Sequence, residues 1–277
     1  MNKTRSCKVA AINTGSSHCP IDWGKIRGAI LVEPGTVLGE LTKDALEKAC
    51  HDDRPKRIYP IVGFVEYAKN GGEAQTSAVG YGPSEYNGIS PQTDTFTLPR
   101  FDETLNANLL KGANKKWNVY FFDEKHIYGY NDGTNLAGIP MSTVYPTATT
   151  FSTSSNKSAL TVSFSHADIE DTLKHLDFAE IDYVAFKGLK GLTEVSLVKQ
   201  SGGENEYKLI ETIGGYDLTP LFGAEIQKAA TTILNGASAA KYEAAKGVLQ
   251  LTPSTGTIGL KSPSTLYTSS IKWIEQV

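Results

Sequence analysis

Cysteine, methionine, long apolar runs and an excess of positive charge are what this sequence has little of. Three cysteines in 277 residues, Cys7, Cys19 and Cys50, are too few and too odd in number for a disulfide framework, and they suit a reducing compartment. No apolar run approaches the ~20 residues that a membrane-spanning helix needs, so no membrane partner is expected. Residues 1–7 carry charge but lead into no apolar segment, so no signal peptide is expected. Lys and Arg number 27 against 30 Asp and Glu, a net charge of −3. That balance argues against a nucleic-acid-binding surface that works by phosphate neutralisation, and no sequence-specific nucleic-acid partner is expected. The clusters Arg54, Lys56, Arg57 and Lys111, Lys115, Lys116 read as solvated loops.

Catalytic patterns are also missing. There is no G-x-S-x-G, no H-E-x-x-H, no C-x-x-C and no P-loop. The five histidines, His18, His51, His126, His166 and His175, read as isolated. His18, Cys19 and Asp22, with Cys50-His51-Asp52-Asp53, are the only combination that could gather a zinc ion, and they are single and scattered. Asp123-Glu124 reads as two solvated carboxylates in a hairpin turn. Asp168, Glu170 and Asp171 read as first-turn helix charges rather than a catalytic pair. The reading is therefore not an enzyme, with no catalytic, metal or cofactor-binding residues and no cofactor.

Hydrophobic residues make up 40% and charged ones 21%, the balance of a folded globular chain. Residues 117–166 hold the densest run of aromatic and β-branched side chains: Trp117 to Phe122, His126 to Tyr130, Ile139 to Tyr145 and Ala159 to Phe164. Those shapes fit a pleated sheet. Alternation should place some of Tyr120, Phe122, Tyr128 and Tyr130 in the core and others on the wall of an assembly. Further strands are expected at Lys8–Ile12, Gly28–Val32, Ile58–Val65 and Thr93–Phe101. A type II turn is expected at Glu33-Pro34-Gly35.

Helices are expected after Thr42, after the cap Asp102 and in the segment opened by Ser165-His166-Ala167-Asp168. The longest is expected from Thr219-Pro220 to Leu234. A hairpin with a polar tip should join Leu192–Val198 to Tyr207–Ile213. Strands are expected again at Gly247–Leu251, Thr257–Leu260 and Tyr267–Ile274. The fold class is mainly β, antiparallel in a sandwich or barrel-like arrangement with three or so packing helices, so α+β. A single β-rich domain is expected over residues 1–277. Within it, residues 66–92 read as a long polar, glycine-rich loop, of the kind ordered by a partner.

The runs Thr95 to Asn106, Trp117 to Asn131 and Gly138 to Pro146 resemble virion structural proteins of tailed phages of Bacteroides-type hosts. The order of strands, flanking helix and long polar loop is similar to tail tube proteins, and the resemblance covers most of residues 90–277. It implies hexameric rings that stack through a long loop and terminal arms, with strands lining a lumen that conducts DNA, and it carries over no site residues. It also implies copies of the chain and other phage tail proteins as partners. Its implied location is the virion tail, assembled in the host cytoplasm. Residues 66–92 would be the inter-ring contact. Six copies of a chain with net charge −3 make a negative ring, along which DNA slides rather than sticks. Two alternatives are another virion component, such as a connector, decoration or baseplate protein, and a carbohydrate-binding β-sandwich. The latter would need a concave aromatic row with nearby amides, with Tyr120, Tyr128 and Tyr130 as candidate stacking residues. A hydrolase would need converging acids that the sequence does not show.

Overall fold

The computed structural model describes residues 23–147, 151–155 and 157–277. The strand expected at Lys8–Ile12 and the residues His18, Cys19 and Asp22 lie outside the described residues. The fold class is as expected: mainly antiparallel β with packing helices. In place of the single domain expected over 1–277, contacts divide the chain into two compact units. The first comprises the described residues up to Ala49 together with Pro55–Lys190, and the second comprises Cys50–Arg54 and Gly191–Val277.

The first unit contains β1 (Gly28–Val32), β2 (Ile58–Val62), β3 (Glu66–Gly71), β4 (Ala74–Ser77), β5 (Glu85–Ile89) and β6 (Gln92–Leu98). It continues with β7 (Trp117–Phe122), β8 (His126–Asn131), β9 (Leu136–Ala137), β10 (Ile139–Pro146), β11 (Leu160–His166) and β12 (Leu176–Glu180). Helices α1 (Lys43–His51), α2 (Glu103–Gly112) and α3 (Ile169–His175) interrupt them, and the last two residues of α1 fall in the second unit. All ladders in this unit are antiparallel. β7 pairs β1 on one edge and both β8 and β10 on the other, with Ile30 opposite Tyr120 and Ile139 opposite Val119. From β10 the path runs to β11, β6 and β3.

β2 pairs β1, and after a bend at Gly63, whose φ is 105°, the chain re-enters the ladder as β3 beside β6. The continuous β2–β3 segment thus bridges the β1 and β6 ladders and curls the sheet into a barrel-like wall, in which β2, β3 and β12 each pair on one side only among the described residues. Pro60 is tolerated in β2 because that strand pairs on one side only. Inside the wall lies the core: Leu31, Phe64, Phe96, Phe121, Val144, Val162 and Phe164 are all buried. Phe96 stacks on Phe64 at 4.7 Å and meets Phe164 edge-on at 5.8 Å, geometries that add to the area term.

Local chemistry explains several element ends. Gly35 has φ 88° and the Thr36 amide donates to the Glu33 carbonyl, closing the expected turn. The Asp102 carboxylate accepts from the Leu105 amide at the start of α2. For α3 the cap is Asp168 itself, accepting from the Asp171 amide. Ser165 and His166 instead end β11, so the helix expected in the segment opened by Ser165 starts only after Asp168.

The second unit holds a sheet in the order β16 (Ala237–Glu243), β17 (Val248–Pro253), β14 (Glu206–Glu211), β13 (Thr193–Lys199) and β19 (Ile274–Gln276). A short pair, β15 (Leu234–Asn235) and β18 (Gly259–Leu260), lies beside it. The β13–β19 contact is parallel, against the antiparallel rule. The expected hairpin is β13–β14, and Asn205 in its tip takes φ 62°. The long helix expected from Thr219 breaks into α4 (Thr219–Lys228) and α5 (Ala230–Ile233), because Ala229 leaves helical geometry at φ −133°, ψ 38°. Thr219 does not cap; its hydroxyl accepts from the Leu209 amide of β14. Gly223 lets α4 close on β16, since a β-carbon there would lie 2.5 Å from the Tyr242 ring. The strand expected at Tyr267–Ile274 is instead a run of turns that follows a short helix, α6 (Pro263–Leu266), and the chain becomes extended only at β19.

Candidate assembly surface

Residues 66–92 are not a loop. They form β3, then an arm made of the β4–β5 hairpin, and then rejoin the barrel as β6. The polar, glycine-rich sequence concealed strands whose side chains have no core to face. All four residues of β4 are exposed, as are Glu85, Tyr86 and Asn87 of β5. Backbone geometry sets the root of the arm. Gly71 and Gly72 both take φ 77°, and a β-carbon on Gly71 would lie 2.0 Å from the Pro91 carbonyl oxygen. Only glycine suits that reversal.

Side chains then tie the arm to itself. The Glu73 amide donates to Ser90 Oγ at 3.0 Å, the Ser90 amide returns to the Glu73 carbonyl at 2.9 Å, and Asn87 reaches Ser77 Oγ at 2.6 Å. The Tyr86 hydroxyl donates to Glu170 of α3 at 3.4 Å. At the tip, the Gly82 amide donates to the Val79 carbonyl. Val79 is 94% exposed and Tyr81 fully so.

Below the root lies a polar cluster around the buried Asp94 that the sequence did not reveal. His166 Nε2 donates to Asp94 Oδ2 at 2.7 Å. The Tyr67 hydroxyl and Gln92 Nε2 each donate to Oδ1 at 2.9 Å. Tyr67 is on β3, Gln92 and Asp94 are on β6, and His166 ends β11, so the cluster joins three strands. Burial pushes Asp94 up, but its hydrogen bonds and the imidazole outweigh that and hold the carboxyl below its usual range. Burial, with Asp94 beside it, raises the Tyr67 phenol. The signal available in the sequence was alternation on β6: Asp94 shares the face of Phe96, where a carboxylate needs partners.

Asp123 corrects another expectation. It is buried, not solvated. Its Oδ1 accepts from the amides of Lys125 and His126, both at 2.6 Å, and Oδ2 accepts from the Gly24 amide at 2.9 Å and the Tyr128 hydroxyl at 2.5 Å. Burial again works against the anion, and these donors, with His126 3.5 Å away, hold its carboxyl below the usual range. The turn carboxylate thus locks the β7–β8 hairpin. Glu124, by contrast, is exposed and pairs Arg27 at 2.7 Å. A carboxylate whose two oxygens already accept four bonds is a poor base, so the arrangement suits holding geometry.

The aromatic run resolves the same way. Tyr120, Phe122 and Tyr128 are fully buried and Tyr130 half-buried. Tyr120 accepts from the Leu38 amide and donates to the Leu136 carbonyl, and burial pushes its phenol up to about 12. Phe122 packs on Phe186 at 4.8 Å. β7 is therefore covered on both faces, which corrects the expectation that alternation leaves one face of it for an assembly wall. Tyr120 and Tyr128 also cannot serve a sugar-stacking platform.

Of the remaining candidates, His51 Nε2 lies 2.6 Å from the Lys272 carbonyl, with the rings of Trp273 and Tyr267 at 4.8 and 5.1 Å. Cys50 is buried, and no cluster of three or more metal-binding side chains occurs among the described residues. His175 Nδ1 sits 3.0 Å from the Asp171 carbonyl oxygen in α3, while Asp171 takes the Tyr130 hydroxyl. Arg54 and Lys56 are exposed, whereas Arg57 is buried, against its reading as a solvated loop residue. Lys111, Lys115 and Lys116 are exposed. Among the described residues no helix is long and apolar enough to cross a membrane.

No family model matches the chain, and no curated protein matches it. Among solved structures it is similar to the anti-feeding prophage cap, the AFP tube-terminating cap seen by cryo-EM. The two share 11% identity over 61% of this chain and 99% of that one, with a TM-score of 0.28. A likeness of that size carries no conclusion about this chain.

Proposed function

We propose that the chain is a structural subunit of a phage tail tube, not an enzyme, and that it assembles into stacked hexameric rings whose lumen conducts DNA. One observation carries the reading: a strand-built arm leaves the barrel, exposes both its faces, and ends in an uncovered Val79 and Tyr81. An isolated two-stranded hairpin is marginal in water. An arm of this kind gains stability once another surface covers it. The outer edges of β3 and β12, which each pair on one side only among the described residues, supply lateral contacts, and pairing them between neighbours closes a ring. The tube works in the virion tail after assembly in the host cytoplasm, beside other tail proteins, and needs no membrane. The net charge of −3 per copy keeps passing DNA from sticking.

Mass measurement with negative-stain microscopy of the purified chain tests this. Rings of six and tubes built from them are expected. A monomer at high concentration refutes the proposal.

A further inference from the structure

An Asn-Gly pair is a place where the backbone can attack its own side chain. Glycine has no β-carbon to hinder the approach, and its amide nitrogen can close a succinimide ring on the asparagine carboxamide. The chain has three such pairs, Asn70-Gly71, Asn87-Gly88 and Asn235-Gly236. All three asparagines are exposed, so their surroundings must rank them.

Two of the pairs are held. Asn70 and Gly71 lie in the unbroken β3–β6 ladder, opposite Thr93 and Gln92. Asn235 pairs Gly259, and its carboxamide donates to the Leu260 carbonyl at 3.4 Å. A β-carbon on Gly236 would lie 2.5 Å from the Thr257 carbonyl, so backbone is packed against that peptide. Turning either peptide for attack breaks ladder bonds or meets main chain.

The third pair is free of both restraints. β5 spends three steps from Tyr86 to Ile89 where β4 spends two from Thr76 to Ala74. Asn87 and Gly88 therefore both stand opposite Gln75, a bulge that disrupts the ladder. Gly88 takes φ 99°, and local opening costs little in a two-stranded ribbon exposed on both faces. Asn87 Nδ2 donates to Ser77 Oγ at 2.6 Å, which holds the carboxamide. A β-carbon on Gly88 would lie 3.3 Å from Glu170 Oε2. That carboxylate is thus within about 6 Å of the Gly88 nitrogen, in range to take its proton through one water.

We propose that Asn87-Gly88 is a self-modification site at which the arm ages. The Gly88 nitrogen bonds to the Asn87 side-chain carbonyl carbon and its proton passes to Glu170. The bond from that carbon to Nδ2 breaks, and ammonia leaves with a proton delivered by the Ser77 hydroxyl, which regains one from Glu170 through water. Water then opens the succinimide at either carbonyl, giving aspartate or isoaspartate. The first product adds a carboxylate to an arm that already carries Glu73 and Glu85. The second adds a methylene to the β5 backbone. The chemistry needs no partner and goes beyond the tail-tube reading.

Peptide mapping by mass spectrometry of the full chain, incubated at neutral pH in heavy-oxygen water, tests it. Asn87 should convert at least about tenfold faster than Asn70 or Asn235, with uptake of the label. In guanidinium the three rates should draw together. Glu170→Gln should slow Asn87 alone and steepen its fall towards acidic pH, because hydroxide is then the remaining base. Ser77→Ala, in exposed β4, should slow Asn87 without moving the melting temperature. Equal rates in the folded chain, a ranking that persists in guanidinium, or an Asn87 rate indifferent to both variants overturns the proposal.

Discussion

Two hairpins of the first unit have the same secondary structure and opposite surroundings. The β7–β8 hairpin is buried on both faces and its turn is locked by Asp123 with four donors. The β4–β5 arm is exposed on both faces and is held at its root by two glycines and the Glu73–Ser90 bonds. Hydrogen bonds alone do not tell them apart. What separates them is the apolar area withdrawn from water, which drives the first to fold within the chain and leaves the second available to a neighbour.

This contrast fixes what substitutions should do, and the largest effect on stability belongs to the buried side. Phe121→Ala, inside the Phe96–Phe164 cluster, should cost about 3–5 kcal/mol, read by denaturant unfolding. A loss below 1 kcal/mol would break the contrast. Asp123→Asn places an amide among donors and should cost about 2–3 kcal/mol.

Acid should act on the same groups. Asp94 and Asp123 are held below their ordinary value of 3.8 in the folded chain. Their stabilisation is therefore present above that value and lost as pH falls through the lower folded values. Unfolding midpoints measured from pH 6 downward should drop at the acid end, and Asp94→Asn should flatten the drop.

Gly71→Ala, at φ 77° and against the Pro91 carbonyl, should cost about 1–3 kcal/mol. Hydrogen exchange should show that loss at the arm's root rather than across the barrel. The smallest effect on stability belongs to Tyr81→Ser, within about 0.5 kcal/mol, yet assembly should fail.

The sequence carried the buried half of this contrast well. Trp117–Phe122 and His126–Asn131 are dense in aromatic and β-branched side chains and fold as the strands they suggest. The cap at Asp102 and the turn at Gly35 followed from local chemistry. Asp123 did not, because a carboxylate in a turn looks solvated unless the amides of Gly24, Lys125 and His126 are known to converge on it. The arm was read as a loop because alternation marks a strand only when one face is buried, and Ala74–Ser77 buries neither. Ala237–Glu243 escaped for a related reason: its alanines lack the branched shapes that signal a strand. His166 and Asp94 stand 72 residues apart, and no local pattern joins them.

The most direct test is electron microscopy of the wild-type chain beside one in which residues 74–89 are replaced by an Asn-Gly turn, at matched concentration. Tubes are expected from the wild type, and unstacked particles with an unchanged melting temperature from the shortened chain. Unchanged tubes from the shortened chain would overturn the arm's role in stacking.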